Sequence, residues 1–217
     1  MKKQIFALSA LVMLGSTLFI GCSEDDTTAP SITILGNNPT VSLKDVTYTD
    51  AGATANDDKD GDITASIVTT NGVNKNVAGS YVVSYSVADK AGNTAAEDRD
   101  VYVVDLNGTY NVVDVVGGSS SNYTDVVTVT GGTNINWAKF ANYQNATVNG
   151  TISGANVTVP SQTVTAGSPG NVANRTFSGS GTLSFTLSGS TITRKIEINY
   201  TEVTNGTTVT GTGTYTK

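Results

Sequence analysis

The sequence predicts an all-β protein of two modules, a small Greek-key β-sandwich followed by an antiparallel eight-stranded barrel or sandwich. Three observations point there. The chain is rich in Thr, Val, Ser, Asn and Gly, and no long segment repeats apolar residues at helical spacing. Short alternating runs recur between Gly-, Asn- and Asp-rich turns. Charge then divides the chain: residues 23–105 carry fourteen Asp/Glu against five Lys/Arg, whereas residues 106–217 carry four against five. The break falls near Asp105, which gives modules at 29–105 and 106–217.

Ahead of the first module lies an address. Lys2 and Lys3 precede a mostly apolar run over residues 5–20, and small Gly21 precedes Cys22, the one cysteine of the chain. This is the layout of a secretory signal, removed with residues 1–21. The run is near the lower limit for spanning a bilayer, so a retained transmembrane anchor is the alternative. The stretch resembles the signal and lipobox of bacterial lipoproteins, with Phe19 where Leu is usual. That resemblance implies acylation of Cys22, with palmitate-type chains each contributing about 0.8 kcal/mol per buried methylene. Residues 22–28 form an acidic tether in which Ser23, Glu24, Asp25 and Asp26 resemble the surface-export signal of Bacteroidota lipoproteins. It implies an outer-membrane lipoprotein facing the cell exterior, although a merely solvated tether has the same composition. Asp26, Thr27 and Thr28 also resemble an O-glycan attachment motif of these bacteria.

In the first module, residues 31–35, 39–43 and 62–68 read as strands, the last with Ile63 and Ile67 in the core. Tyr81, Val83, Tyr85 and Val87 share one face of a further strand, with Val82, Ser84 and Ser86 on the other. Residues 89–93 (Asp-Lys-Ala-Gly-Asn) make a turn, and residues 101–104 close a hairpin with the preceding strand. Strands of this length over roughly 75 residues fit an immunoglobulin-like sandwich. Residues 48–55 (Tyr-Thr-Asp-Ala-Gly-Ala-Thr-Ala), 60–64 (Asp-Gly-Asp-Ile-Thr), 79–81 (Gly-Ser-Tyr) and 89–95 closely resemble, in order, the Ig-like repeat first named from a pesticidal crystal protein. Ala51 stands where that family usually has proline. The resemblance implies a spacer or adhesion module with no catalytic residues to transfer.

Within this module Asp57, Asp58, Asp60 and Asp62 surround Lys59 and Gly61. Carboxylates at alternate positions with a glycine for the turn suit a hard cation, and calcium is the one ion the sequence invites. The twelve-residue EF-hand frame fails, because apolar Ile67 and Val68 occupy the region of its final Glu. The competing reading is a tight turn capped by Asp side chains.

The second module reads as eight strands at 108–116, 123–129, 134–140, 146–152, 156–165, 176–187, 191–203 and 207–216. Ile192, Arg194, Ile196, Ile198 and Tyr200 share one face, and only Arg194 breaks its apolar character. Short connections favour an antiparallel meander, which eight strands can close into a barrel. The opening Leu106-Asn107-Gly108-Thr109-Tyr110, with residues 159–163 and 179–182, is similar to small lipocalin-like barrels that end Bacteroidota lipoproteins. Trp137, Phe140, Tyr143, Phe177, Phe185 and Tyr200 are core by default. Trp137, beside Asn134, Asn136 and Lys139, is also a candidate sugar-stacking platform, with Tyr143 a second ring. Arg194 either snorkels at a strand end or faces an anionic ligand.

Composition narrows the chemistry. The chain has no histidine, and lipid would consume its cysteine, so no imidazole base, thiol nucleophile, disulfide or Cys/His metal site remains. The acidic first module repels phosphate, which argues against nucleic acid. The expectation is a non-catalytic, lipid-anchored surface protein without an organic cofactor, whose distal module meets a glycan or a surface protein. The alternative is a carbohydrate-active enzyme, or an accessory subunit of a glycan-utilisation system, working through a carboxylate pair. Asp114, Asp125, Glu197 and Glu202 are the carboxylates the second module offers.

Overall fold

The computed structural model describes residues 25–217; the signal segment, Cys22, Ser23 and Glu24 lie outside the described residues. The first module contains β1 (Ser31–Ile34), β2 (Thr40–Leu43), β3 (Ala53–Asp57), β4 (Gly61–Asp62), β5 (Val68–Asn71), β6 (Gly79–Ala88) and β7 (Thr94–Val104). One sheet has the order β1-β3-β4 and the other β2-β7-β6-β5, with β2 running parallel to β7. Val83, Tyr85 and Val101 are the buried centre between the sheets, joined by partly buried Ile32, Ile34, Ala53 and Ile67.

The expected strand over 62–68 is corrected: β4 ends at Asp62 and a 3-10 turn over Thr64–Ser66 follows. The cause is local hydrogen bonding that competes with the ladder. The Thr64 amide donates to Asp62 Oδ1 at 2.9 Å, and the Ala55 amide donates to Thr64 Oγ1 at 3.0 Å. Residues 53–57, which sequence reading treated only as motif, form β3, with Ala55 and Asp57 buried on alternate positions.

Three apolar residues make a thin core, and a charged one supplements it. Arg99 on β7 is 2% exposed and donates to the carbonyls of Leu35 (2.6 Å), Gly52 (2.9 Å) and Asn37 (3.2 Å). Its Nε reaches Asp50 at 3.1 Å and the Tyr85 hydroxyl at 3.2 Å. The planar guanidinium has five donors in a fixed fork, and here they bridge the two sheets. Burial pushes the Asp50 carboxyl up, but hydrogen bonds from Tyr85, Tyr48 and the Gly52 amide, with the Arg99 charge, hold it below the usual range.

The second module comprises β8 (Gly108–Val116), β9 (Ser119–Thr130), β10 (Asn134–Trp137), β11 (Val148–Ser153), β12 (Asn156–Ala166), β13 (Ala173–Ser188), β14 (Thr191–Thr204) and β15 (Thr207–Thr216). They form a closed antiparallel barrel in sequence order, sealed where β15 pairs with β8. Side chains alternate in and out, so Tyr110, Val112 and Asp114 face inward from β8 and Ile196, Ile198, Tyr200 and Glu202 from β14. Inward glycines give large rings their room: a Cβ at Gly150 would strike the Trp137 indole, and one at Gly211 the Tyr200 ring. Pro160, which cannot donate to a ladder, sits where the β12–β13 register shifts between Val159 and Gln162. The expected strand over 134–140 is also corrected. It ends at Trp137, and Phe140–Asn142 is a 3-10 turn in which Ala141 and Asn142 have positive φ.

Residues 105–107 join β7 to β8, so the modules abut. Gly132, at φ +72°, lies so close to the Lys44 carbonyl and Val46 that a Cβ there would collide with both. Val41, Leu43 and Tyr102 pack onto the barrel core. The opposite end of β7 carries the 89–93 turn, where Asn93 Nδ2 donates to the Asp26 carbonyl at 3.1 Å. Eleven residues of β7 span roughly 35 Å, so the incoming chain and the barrel occupy opposite poles of the sandwich.

Arg99→Met is expected to destabilise the first module by about 3 kcal/mol or more, because Asp50 and the carbonyls of Leu35, Asn37 and Gly52 lose their donor. Adding Asp50→Asn should recover part of that loss. Urea denaturation of the single and double variants measures both.

Candidate functional site

The barrel end away from the sandwich gathers most of the inward-facing ionisable side chains of the second module. Inward positions bring Asp114 from β8, Tyr123 and Asp125 from β9, Trp137 from β10, Arg175 and Phe177 from β13, Tyr200 and Glu202 from β14, and Tyr215 from β15 into one interior. Each follows from strand alternation, since every one lies two residues from another inward side chain.

Most of these groups are paired. The Tyr200 hydroxyl donates to Asp114, 3.0 Å from either carboxylate oxygen. Arg175 Nη1 and the Thr204 hydroxyl both donate to Glu202 Oε1, and the Arg175 guanidinium stacks 3.8 Å from the centre of the Tyr143 ring. Burial raises the Asp114 carboxyl, the Tyr200 bond opposes it, and the Glu202 charge adds to the rise. Burial also pushes the Tyr123, Tyr200 and Tyr215 phenols up.

A capping segment over residues 138–147 closes this interior. The Lys139 amide donates to Asp125 Oδ1 at 2.7 Å. Phe140 packs edge-on against Trp137, Phe177 and Tyr200 at centroid distances of 5.6, 5.3 and 5.2 Å. The left-handed backbone at Ala141, rare for a residue with a Cβ, is held by that packing. A Gly167 N–H to Gln144 carbonyl bond of 3.1 Å ties the cap to the 167–172 loop. Beneath the cap, Asp125 Oδ2, the Tyr123 hydroxyl and Trp137 Nε1 are buried without a hydrogen-bond partner. Burial drives the Asp125 carboxyl up to about 6, against the opposing effect of the Lys139, Val126 and Ala138 amides.

The residues singled out from sequence do not converge. Trp137 is fully enclosed, with no ring face open to a sugar. Tyr143 is half-buried on the distal rim against Arg175. Arg194 lies inside the other end, opposite Phe185, where its Nη1 donates to the Ile192 carbonyl at 3.2 Å and its Nε has no partner. In the acidic loop, Asp60 pairs with Lys90 at 2.8 Å and Asp62 caps Thr64, whereas Asp57 and Asp58 converge with Asp26. Cys22, Ser23 and Glu24 lie outside the described residues; Asp25 is exposed. Arg175 was missed, although its inward register beside Phe177 was readable. Asp114 and Asp125, two of the four carboxylates the second module offers, are buried inside the barrel.

A second concavity lies between the modules. It is a cleft of about 510 Å³ lined by Val41, Leu43 and Val46 of the sandwich and Ile152, Leu183 and Phe185 of the barrel.

Residues 32–103 match the family model described as bacterial surface protein, Ig-like domain. The match agrees with the Ig-like fold of the sandwich and stops before the barrel. Among solved structures, a lipoprotein from Bacteroides thetaiotaomicron is similar over 86% of this chain and 99% of its own, at 15% identity and a TM-score of 0.33. A Clostridium perfringens structure of CBM51-2 in complex with GlcNAc and INT domains is similar over 87% of this chain and 44% of its own, at 14% identity and a TM-score of 0.30. No curated protein matches the sequence.

The buried Asp125 carboxyl makes the stability of the barrel depend on pH. Its carboxyl takes up a proton near pH 6 in the folded chain, above the ordinary aspartate value of 3.8. The native state thus binds the extra proton between those values, and stability falls as pH rises through that window. At about 1.4 kcal/mol per unit, reduced for partial solvent screening, the cost at neutral pH is on the order of 1–3 kcal/mol. Asp125→Asn should raise the denaturation midpoint near neutral pH, flatten its pH dependence, and leave stability near pH 4 unchanged. Urea denaturation across this range checks it.

Proposed function

We propose that this chain is a non-catalytic, lipid-anchored protein of the bacterial cell surface, in which the Ig-like domain holds the barrel away from the membrane and the distal barrel rim contacts a glycan. The two-pole arrangement carries this reading. The segment that follows Cys22 meets the sandwich at the 89–93 turn, whereas the barrel sits at the far end of β7. Acylation at Cys22 would tether the first pole, with Ser23 to Asp26 as the export signal to the outer face of the outer membrane. The Ig-like domain of the pesticidal crystal protein type would act as the spacer.

The rim has the chemistry for sugar hydroxyls. Asn142, Gln144, Asn145, Ser168 and Asn171 are exposed and neutral, and Tyr143 adds a half-exposed ring. The carboxylate-pair enzyme is disfavoured, because Tyr200 holds Asp114 and Arg175 holds Glu202. Trp137 supports the rim from within as packing. Arg194 lies at the opposite end, away from the rim, where its Nη1 donates to the Ile192 carbonyl.

Cys22→Ala should abolish palmitate incorporation and release the protein from the membrane fraction. A parent that takes up no palmitate would exclude the lipid anchor, and incorporation that persists in the variant would exclude Cys22 as its site. On a broad glycan array, the protein from Ser23 onward should bind, and Tyr143→Ser or Gln144→Ala should remove binding without lowering the melting temperature by more than a few degrees. A silent array would exclude the glycan and turn the search to protein partners.

A further inference from the structure

At the pole away from the barrel, three carboxylates from two parts of the chain meet. One carboxylate oxygen from each of Asp26, Asp57 and Asp58 lies within 4.8 Å of the other two. Asp26 belongs to the segment before β1, Asp57 ends β3, and Asp58 opens the turn to β4.

Asp57 has a divided role. Its Oδ2 builds the turn by accepting the Lys59 amide at 2.8 Å and the Asp60 amide at 3.0 Å. Its Oδ1 is buried and meets no donor, on a residue only 3% exposed. A buried carboxylate oxygen with no partner is costly, and two neighbouring carboxylates of the same sign add repulsion. Among the described residues, no salt bridge reaches Asp26, Asp57 or Asp58, and the nearby Lys90 is committed to Asp60. The orphan oxygen and the unneutralised charge have one solution in common.

We propose that Asp26, Asp57 and Asp58 bind a calcium ion. Three carboxylate oxygens, one of them already stripped of water, suit a hard cation that takes six to eight oxygens in flexible geometry. Carbonyls and water complete the shell. Asp60 and Asp62 stand outside this set: their oxygens do not join the cluster, Lys90 neutralises Asp60, and Asp62 caps the Thr64 amide. The ion links the segment before β1 to the β3–β4 turn. That segment is otherwise held there by the bond from Asn93 Nδ2 to the Asp26 carbonyl. Calcium therefore stiffens the joint at which the chain enters the sandwich.

The test uses the full chain extracted from membranes in detergent, stripped with a chelator and titrated with calcium chloride. Calcium should raise the melting temperature with a midpoint of order 10⁻⁴–10⁻³ M, the range of extracellular modules, and should slow proteolysis within residues 25–30. Asp26→Asn and Asp58→Asn should each weaken the midpoint about tenfold through loss of ligand charge, with calcium-free melting equal to or above that of the parent. Asp62→Asn should keep the full response. An absent calcium response in the parent would overturn the proposal, as would an unchanged midpoint in both Asp26→Asn and Asp58→Asn. Loss of the response in Asp62→Asn alone would also overturn it, by moving the ion to the other side of the loop.

Discussion

The pairing of β15 with β8 is the contact on which the second module depends. Without it, eight strands rich in threonine and glycine would present two open edges, each able to recruit another chain. Once closed, eight strands enclose a volume that side chains just fill, and that volume dictates the packing. The sequence supplies few large residues, with 7% aromatic content over 217 residues. Each ring must therefore fill a large share of the interior. Trp137 and Tyr200 do so by lying over glycines of neighbouring strands, which is why Gly150 and Gly211 face inward where a β-branched residue would otherwise be preferred.

Charge completes what apolar side chains begin, and both modules use it alike. In the sandwich, Arg99 reaches from β7 to carbonyls before β2 and β3, so one side chain spans two sheets. In the barrel, Arg175 on β13 holds Glu202 on β14 and supports the Tyr143 ring of the cap. Such pairs add little net stability compared with apolar substitutes, but removing one partner strands the other in a dry interior. With a single cysteine in the chain, the fold has no intrachain disulfide to offset such a loss. The networks thus specify the alignment of sheets and cap more than they deepen the free-energy minimum.

This division explains what was legible beforehand. The inward face of β14 could be read from Ile192 to Tyr200 because strand periodicity is local, and extending it by one step reaches Glu202. Trp137 shares its parity with buried Ile135, a signal that the polar residues around it in sequence obscured. The 62–68 segment misled because Asp62 and Thr64 offer their own hydrogen bonds to the backbone, against the β propensity of the isoleucines. The meeting of Asp26 with Asp57 and the stack of Arg175 on Tyr143 depend on long-range folding, which no local pattern encodes.

The joint between the modules determines how the distal rim is presented. A glycine- and serine-rich linker would let the barrel sample many directions. Residues 105–107 do not behave as one. The Asn107 amide donates to Asp105 Oδ1 at 2.9 Å, the Val129 amide donates to Asn107 Oδ1 at 2.6 Å, and Lys44 approaches Asp105 at 3.7 Å. Leu106 is buried between these contacts, and the close approach of Gly132 to the Lys44 carbonyl leaves no space for rocking. The barrel axis is consequently coupled to β7. Orientation set where the chain enters the sandwich is then transmitted along roughly 35 Å of β7 to the base of the barrel.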